Sequence, residues 1–180
     1  MQIETAVLGT VKEWFTEYRD PDTKIAGLPE GPWSAEPSKM QWVDRATGMP
    51  CLIVRNGFGA LCGYAGVTPG HPLHGCNYDD FDADVHGGLT FADRCQPTTD
   101  EAHGVCHVPE PGTPHDVWWF GFDCAHLGDV VPGMISVHER IGFSGRSELD
   151  RGEYRDVAYV AHEVTRLAEQ LHQRGQVVTA

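Results

Sequence analysis

The stretch Asp116-Val117-Trp118-Trp119-Phe120-Gly121-Phe122-Asp123-Cys124-Ala125-His126-Leu127-Gly128-Asp129 decides how the fold is read. From 117 to 122 the run is continuously apolar, the pattern of a strand covered on both faces. Such a strand needs a layer on each side of its sheet. Its adjacent tryptophans point to opposite faces, so only one of Trp118 and Trp119 can line a given pocket. The run ends on Asp123, and a carboxylate closing a buried strand must be paired, hydrogen-bonded or metal-bound. His126 and Asp129 follow within one turn, where a short loop can aim both at one point.

Working outward, segments 40–44, 52–55, 60–67, 83–91 and 104–108 also read as strands, each bounded by Gly, Pro, Asn or Asp. Gly57-Phe58-Gly59 reads as the turn of a hairpin. At the N-terminus, Val7, Leu8, Val11, Trp14, Phe15 and Tyr18 recur at helical spacing, predicting a helix over 1–20 that stops at Asp20-Pro21-Asp22. A connector over 21–39, rich in Gly and Pro, is expected to be pinned to the body by Trp33. The polar segment 136–151 is expected to be a mobile lid or an exposed loop. Tyr154, Val157, Val160, Ala161, Val164, Leu167, Ala168 and Leu171 form one apolar stripe of a helix over 153–174, with Gly175 as its expected C-cap. These segments predict one α+β domain over 1–180. Its β-rich core, 40–134, is a mainly antiparallel β-sheet with an N-terminal helix and a C-terminal amphipathic helix packed on it.

The chain has 180 residues and a formal net charge of −13. That balance disfavours nucleic acid, whose binding depends on basic residues meeting phosphates. It also disfavours an anionic membrane surface. No apolar run approaches the roughly 20 residues that span a bilayer. The first residues lack the basic and apolar regions of a signal peptide, so a cytoplasmic protein is expected. The six cysteines contain no C-x-x-C pair; a disulfide framework is not expected, and most of them read as small buried apolar groups.

Seven of the ten histidines lie between His71 and His126, and from Cys76 to Asp129 eleven acidic residues accompany a single basic one, Arg94. Within this region Asp82, Asp84 and His86 alternate with Phe81, Ala83 and Val85. If the segment is extended, the first three share one face and the others turn to the core. Two carboxylates and an imidazole so placed can hold a cation, or a carboxylate can orient a general-base histidine. His71-Pro72-Leu73-His74-Gly75-Cys76 and His103-Gly104-Val105-Cys106-His107 offer further nitrogen and sulfur ligands, at spacings that match no zinc motif. Phosphate-binding loops, H-E-x-x-H and G-x-S-x-G are all missing.

Several phrases belong together: Cys62-Gly63-Tyr64, Gly70-His71-Pro72, Tyr78-Asp79-Asp80, Val85-His86-Gly87-Gly88-Leu89-Thr90, Cys106-His107-Val108-Pro109-Glu110-Pro111-Gly112 and the stretch 116–129. With these the chain resembles a family of small uncharacterised proteins from actinobacteria and their phages. The resemblance implies a phage or prophage accessory protein, one that acts against host defence in the host cytoplasm. It supplies no catalytic residues.

Two functional expectations follow. The first is a metal-dependent hydrolase of a small polar or phosphorylated substrate. In it Asp84, His86, Asp123, His126 and Asp129 hold zinc, manganese or magnesium, and His86, Asp84 and His126 carry the acid–base chemistry. The second is a non-catalytic binding protein that sequesters a nucleotide-derived signal or blocks a host protein, with Tyr64, Tyr78, Trp118, Trp119 and Arg94 around the ligand. A third, plainer possibility is an acidic face that meets a basic partner.

Overall fold

The computed structural model describes residues 10–16, 27–95, 101–109, 111–112, 115–141 and 152–177. Its architecture is α+β: a six-stranded antiparallel sheet with a long C-terminal helix against one face. The strands are β1 (Lys12–Trp14), β2 (Lys39–Val43), β3 (Pro50–Arg55), β4 (Leu61–Val67), β5 (Phe91–Arg94) and β6 (Trp118–Asp123), and the helices are α1 (Pro132–Arg140) and α2 (Val157–Val177). Their order across the sheet is β1-β2-β3-β4-β6-β5. The apolar run of β6 therefore lies between two neighbours, with Phe120 opposite Ala65 of β4 and Ala92 of β5.

Both faces of the sheet are covered, as the unbroken apolar run requires. On one face Met40, Trp42, Ile53, Leu61, Ala65, Phe120 and Phe122 pack with Val157, Val160, Ala161, Val164, Leu167, Ala168 and Leu171 of α2. On the other, Leu52, Val54, Cys62, Tyr64, Val117 and Trp119 form a second core with Val105. Trp118 and Trp119 accordingly separate, the first packed against the helix-side core and the second wholly buried in the other.

Helix α2 sits very close to β4. A Cβ on Gly63 would lie 2.5 Å from the Phe122 ring and 2.6 Å from a methyl of Val164. The helix start is held from a distance: Glu36 accepts the Val157 amide at 2.9 Å and pairs with Arg55 at 3.1 Å, while Asp156 caps the Tyr159 amide at 2.8 Å. Tyr154 joins this group by donating to Glu36, and Trp33 packs edge-on against it at 5.1 Å. Trp33 thus fixes the connector by packing, as expected from the sequence.

Five sequence expectations change. Residues 12–14, expected in a helix, are an edge strand that pairs Lys12 with Gln41 and Trp14 with Lys39. Here the unpaired edge of β2 outweighs helical periodicity; residues 1–9 and 17–20 of that expected helix lie outside the described residues. Segment 83–91 is not a strand. It runs extended, with Phe81, Ala83 and Val85 buried and Asp82 and Asp84 exposed, then turns at Gly87 and Gly88 before β5 begins at Phe91. Segment 104–108 is a loop over the sheet face, where the Gln41 amide takes the role of a strand partner. It donates to the Val108 carbonyl at 2.8 Å and accepts the Val108 amide at 2.7 Å.

Finally, Gly175 does not end the helix, which continues to Val177. Gly175 instead lets the helix approach the His71 ring, 3.0 Å from where its Cβ would be. The expected lid is in part helix α1; its residues 142–151 lie outside the described residues. Among the described residues, no helix is long and apolar enough to cross a membrane.

Gly63→Ala should lower stability by about 1–3 kcal/mol, the usual cost of overpacking a tight core. Urea unfolding measures it, and an unmoved midpoint would show that α2 does not rest on β4 in this way.

Candidate metal centre

Among the described residues, no strand lies beside the backbone of residues 84–86; side chains of α2 take that role. The Asp84 amide donates to Gln170 at 2.8 Å, Gln170 donates to the Asp84 carbonyl at 3.1 Å, and the His86 amide donates to Glu163 at 2.8 Å. Tyr159, Glu163, Arg166 and Gln170 are spaced four, three and four residues apart, one polar stripe beside the apolar one. This stripe fixes the segment that carries His86.

The His86 ring is held at both nitrogens, by Asp129 at 2.8 Å from Nε2 and by the Tyr159 hydroxyl at 3.0 Å from Nδ1. Because the carboxylate only accepts, Nε2 carries a proton in this arrangement. Asp129 is 2% exposed. Besides His86, it accepts the His126 amide at 3.0 Å on Oδ2 and Arg155 Nε at 3.0 Å on Oδ1. Arg155 also lies over the Tyr159 ring, 4.8 Å from its centroid. Burial works against ionisation of Asp129, but the hydrogen bonds from His86, Arg155 and the His126 amide outweigh it and hold the pKa below the usual carboxylate value.

His126 completes the group. Its ring meets that of His86 with centroids 5.3 Å apart, and one ligand atom each from His86, His126 and Asp129 lies within 4.8 Å of the others. The approach needs a glycine at 87, because a Cβ there would sit 2.2 Å from the His126 ring, and Gly87 also adopts φ +67°. His126 Nδ1 is buried and makes no hydrogen bond to any described residue. It lies 3.7 Å from Asp129 Oδ2 and 4.0 Å from Asp123 Oδ1.

These separations suit a shared cation. At metal–ligand distances of about 2.0–2.2 Å, neighbouring ligand atoms stand about 3–3.5 Å apart, and the 2.8 and 3.7 Å pairs bracket that interval. The His126 Nδ1 atom, unbonded among the described residues, is a position at which a cation or a water could be met beside a histidine and a carboxylate. The surroundings fit as well: Tyr159 holds the outer nitrogen of His86, and Arg155 occupies the outer oxygen of Asp129.

Of the five residues expected to hold a metal, the fold brings His86, His126 and Asp129 together and leaves Asp123 at the margin. There Asp123 is held by Thr90 Oγ1 at 3.0 Å and the Ala125 amide at 3.0 Å. Asp84 is exposed and paired with Arg166 at 2.5 Å, outside the group. The residues expected around a ligand are dispersed. Tyr64 and Trp119 lie in the second core, Trp118 donates to the Cys76 carbonyl, Tyr78 is exposed on a short turn and Arg94 is exposed at the end of β5. His71 is structural: its Nδ1 accepts the Leu73 amide, so its Nε2 donates to the Leu171 carbonyl at 2.9 Å.

Tyr159, Glu163 and Arg155 were not singled out in the sequence. The polar stripe at helical spacing was the signal that pointed to the first two; Arg155 carried none. Of the cysteines, Cys51, Cys62 and Cys124 are buried thiols, and burial pushes Cys62 up to about 12. Cys95 and Cys106 are joined in a disulfide, so one pair departs from the expected set of buried thiols. No family model, curated protein or solved structure matches the chain.

Because folding lowers the Asp129 pKa, the stability it confers is fully present above the ordinary carboxylate value of about 4. That stability is lost as pH falls through the lowered value. Asp129→Asn should cost about 1–3 kcal/mol at neutral pH by leaving buried donors poorly satisfied. It should also flatten the acid side of the stability curve, which thermal melts from pH 7 downward would show; an acid limb identical to that of the parent protein would contradict it.

Proposed function

We propose that the chain is a metal-dependent hydrolase in which His86, His126 and Asp129 hold a divalent cation. The observation that carries this reading is the buried, unbonded His126 Nδ1 beside the His86–Asp129 pair. The cation takes the place of the proton now shared between His86 Nε2 and Asp129 Oδ2. His86 then switches tautomer and donates Nδ1–H to Tyr159. Two imidazoles and one carboxylate suit zinc or manganese better than magnesium, which prefers oxygen ligands throughout.

Three protein ligands leave coordination positions for water and substrate. A divalent cation held by these residues would acidify a water at such a position. Asp123, 4.0 Å from His126, is the carboxylate placed to take the second proton of that water and pass it to the leaving group. Besides the metal itself, a phosphorylated substrate is held best by a second, available cation. Arg155 is engaged with Asp129 and Glu153, and Arg166 with Glu163 and Asp84. We therefore favour a small uncharged polar substrate. The resemblance to actinobacterial and phage proteins supports an accessory role inside a host cell.

Purified protein stripped with chelator and dialysed against zinc or manganese should retain one metal per chain at this site. His126→Ala should lose it. Tyr159→Phe, which removes only the partner of the outer histidine nitrogen, should weaken affinity about 10–100-fold. Hydrolysis of chromogenic esters and amides should follow metal content. Absence of stoichiometric metal in protein whose Cys95 and Cys106 are both replaced by serine rejects the reading.

A further inference from the structure

On the opposite face of the sheet, ligand atoms of Cys95, Cys106 and His115 lie within 4.8 Å of one another. We propose that these three residues form a second, thiolate-rich zinc site, available when the Cys95–Cys106 disulfide is reduced. It does not depend on the function proposed above.

Each of the three is positioned by backbone hydrogen bonds that owe nothing to the sulfur–sulfur bond. Cys95 follows directly on β5, and its amide donates to the Val117 carbonyl at 3.3 Å. His115 enters β6 through its own carbonyl, which accepts the Val117 amide at 3.0 Å. Cys106 lies in the 101–109 segment, which Gln41 holds at Val108 and whose Val105 is buried in the second core. Below it Lys39, 1% exposed, donates from Nζ to the carbonyls of Glu101 at 2.6 Å and Cys106 at 2.7 Å. Opening the disulfide therefore leaves two thiols and an imidazole still facing one another.

The donor set selects the ion. Two sulfurs and one nitrogen are soft ligands, suited to zinc and unsuited to magnesium or calcium. The His107 ring lies 5.7 Å from that of His115 and edge-on to Trp119 at 5.6 Å, walling one side of the group. Water fills the fourth position.

The chemistry balances as follows. A dithiol reductant gives two electrons and two protons to the disulfide and is itself oxidised to a disulfide. Zinc then displaces the two thiol protons. A disulfide oxidant reverses the sequence, reforming the sulfur–sulfur bond and releasing the metal. The site is thus loaded in reducing surroundings and closed by a disulfide in oxidising ones.

The test uses full-length protein carrying His86→Ala and His126→Ala, so that the first site is absent. Metal-free protein is compared before and after reduction with a phosphine, by zinc titration against a chromophoric chelator and by cobalt absorption. Reduced protein should bind one zinc per chain and give a thiolate-to-cobalt charge-transfer band; oxidised protein should do neither. Cys106→Ser should abolish the band, and His115→Ala should weaken zinc binding at least about tenfold. Equal zinc uptake by oxidised and reduced protein, or a band that survives Cys106→Ser, overturns the proposal. The oxidised-against-reduced comparison is repeated on the parent protein, where the first site contributes equally to both states, so that a poorly folding variant does not blunt it. Failure here with metal retained at His86 and His126 in the parent protein rejects the second site alone.

Discussion

Helix α2 lies against β4 at a distance that only a glycine at 63 permits, with Val164 and Phe122 closing over that position. The helix turns that close approach into two kinds of contact. Its apolar stripe fills the larger core, and the polar stripe beside it binds the backbone of residues 84–86 through Glu163 and Gln170. Among the described residues, the segment carrying His86 has no strand partner of its own. Its position, and with it the position of the His86 ring, is inherited from the helix.

The same dependence runs through Asp129. Its two oxygens meet four groups from three parts of the chain: the His86 ring, the amide of His126, the nearby ring of His126 itself and the guanidinium of Arg155 just before α2. Burying a carboxylate is unfavourable without such partners. The arrangement is therefore high-stakes, stabilising while complete and costly when one member is lost. It also leaves one nitrogen, His126 Nδ1, without a hydrogen bond.

The two clusters occupy opposite faces of one sheet and differ in chemistry. His86, His126 and Asp129 offer nitrogen and oxygen, while Cys95, Cys106 and His115 offer mainly sulfur. Strand β6 serves both, since His115 precedes it, Asp123 ends it and His126 follows it. Its four middle residues, Trp119 to Phe122, are buried, which anchors the strand between the two clusters.

Much of the fold was legible along the chain. The unbroken apolar run of β6 required a central strand with both faces covered, and the stripe from Val157 to Leu171 required a helix on one of them. The alternation of Phe81, Ala83 and Val85 with Asp82 and Asp84 was also readable, although it belongs to an extended segment held by helix side chains rather than to a strand. His86, His126 and Asp129 could be named because their residue types are uncommon in a packed interior. Tertiary structure alone decided that they converge while Asp84 turns outward to Arg166, and that Tyr159 and Arg155 hold the outer atoms of the group. Periodicity fixes which face a side chain takes, but the distance between faces is set by packing. Here that packing is the approach of α2 to β4, and no local pattern encodes it.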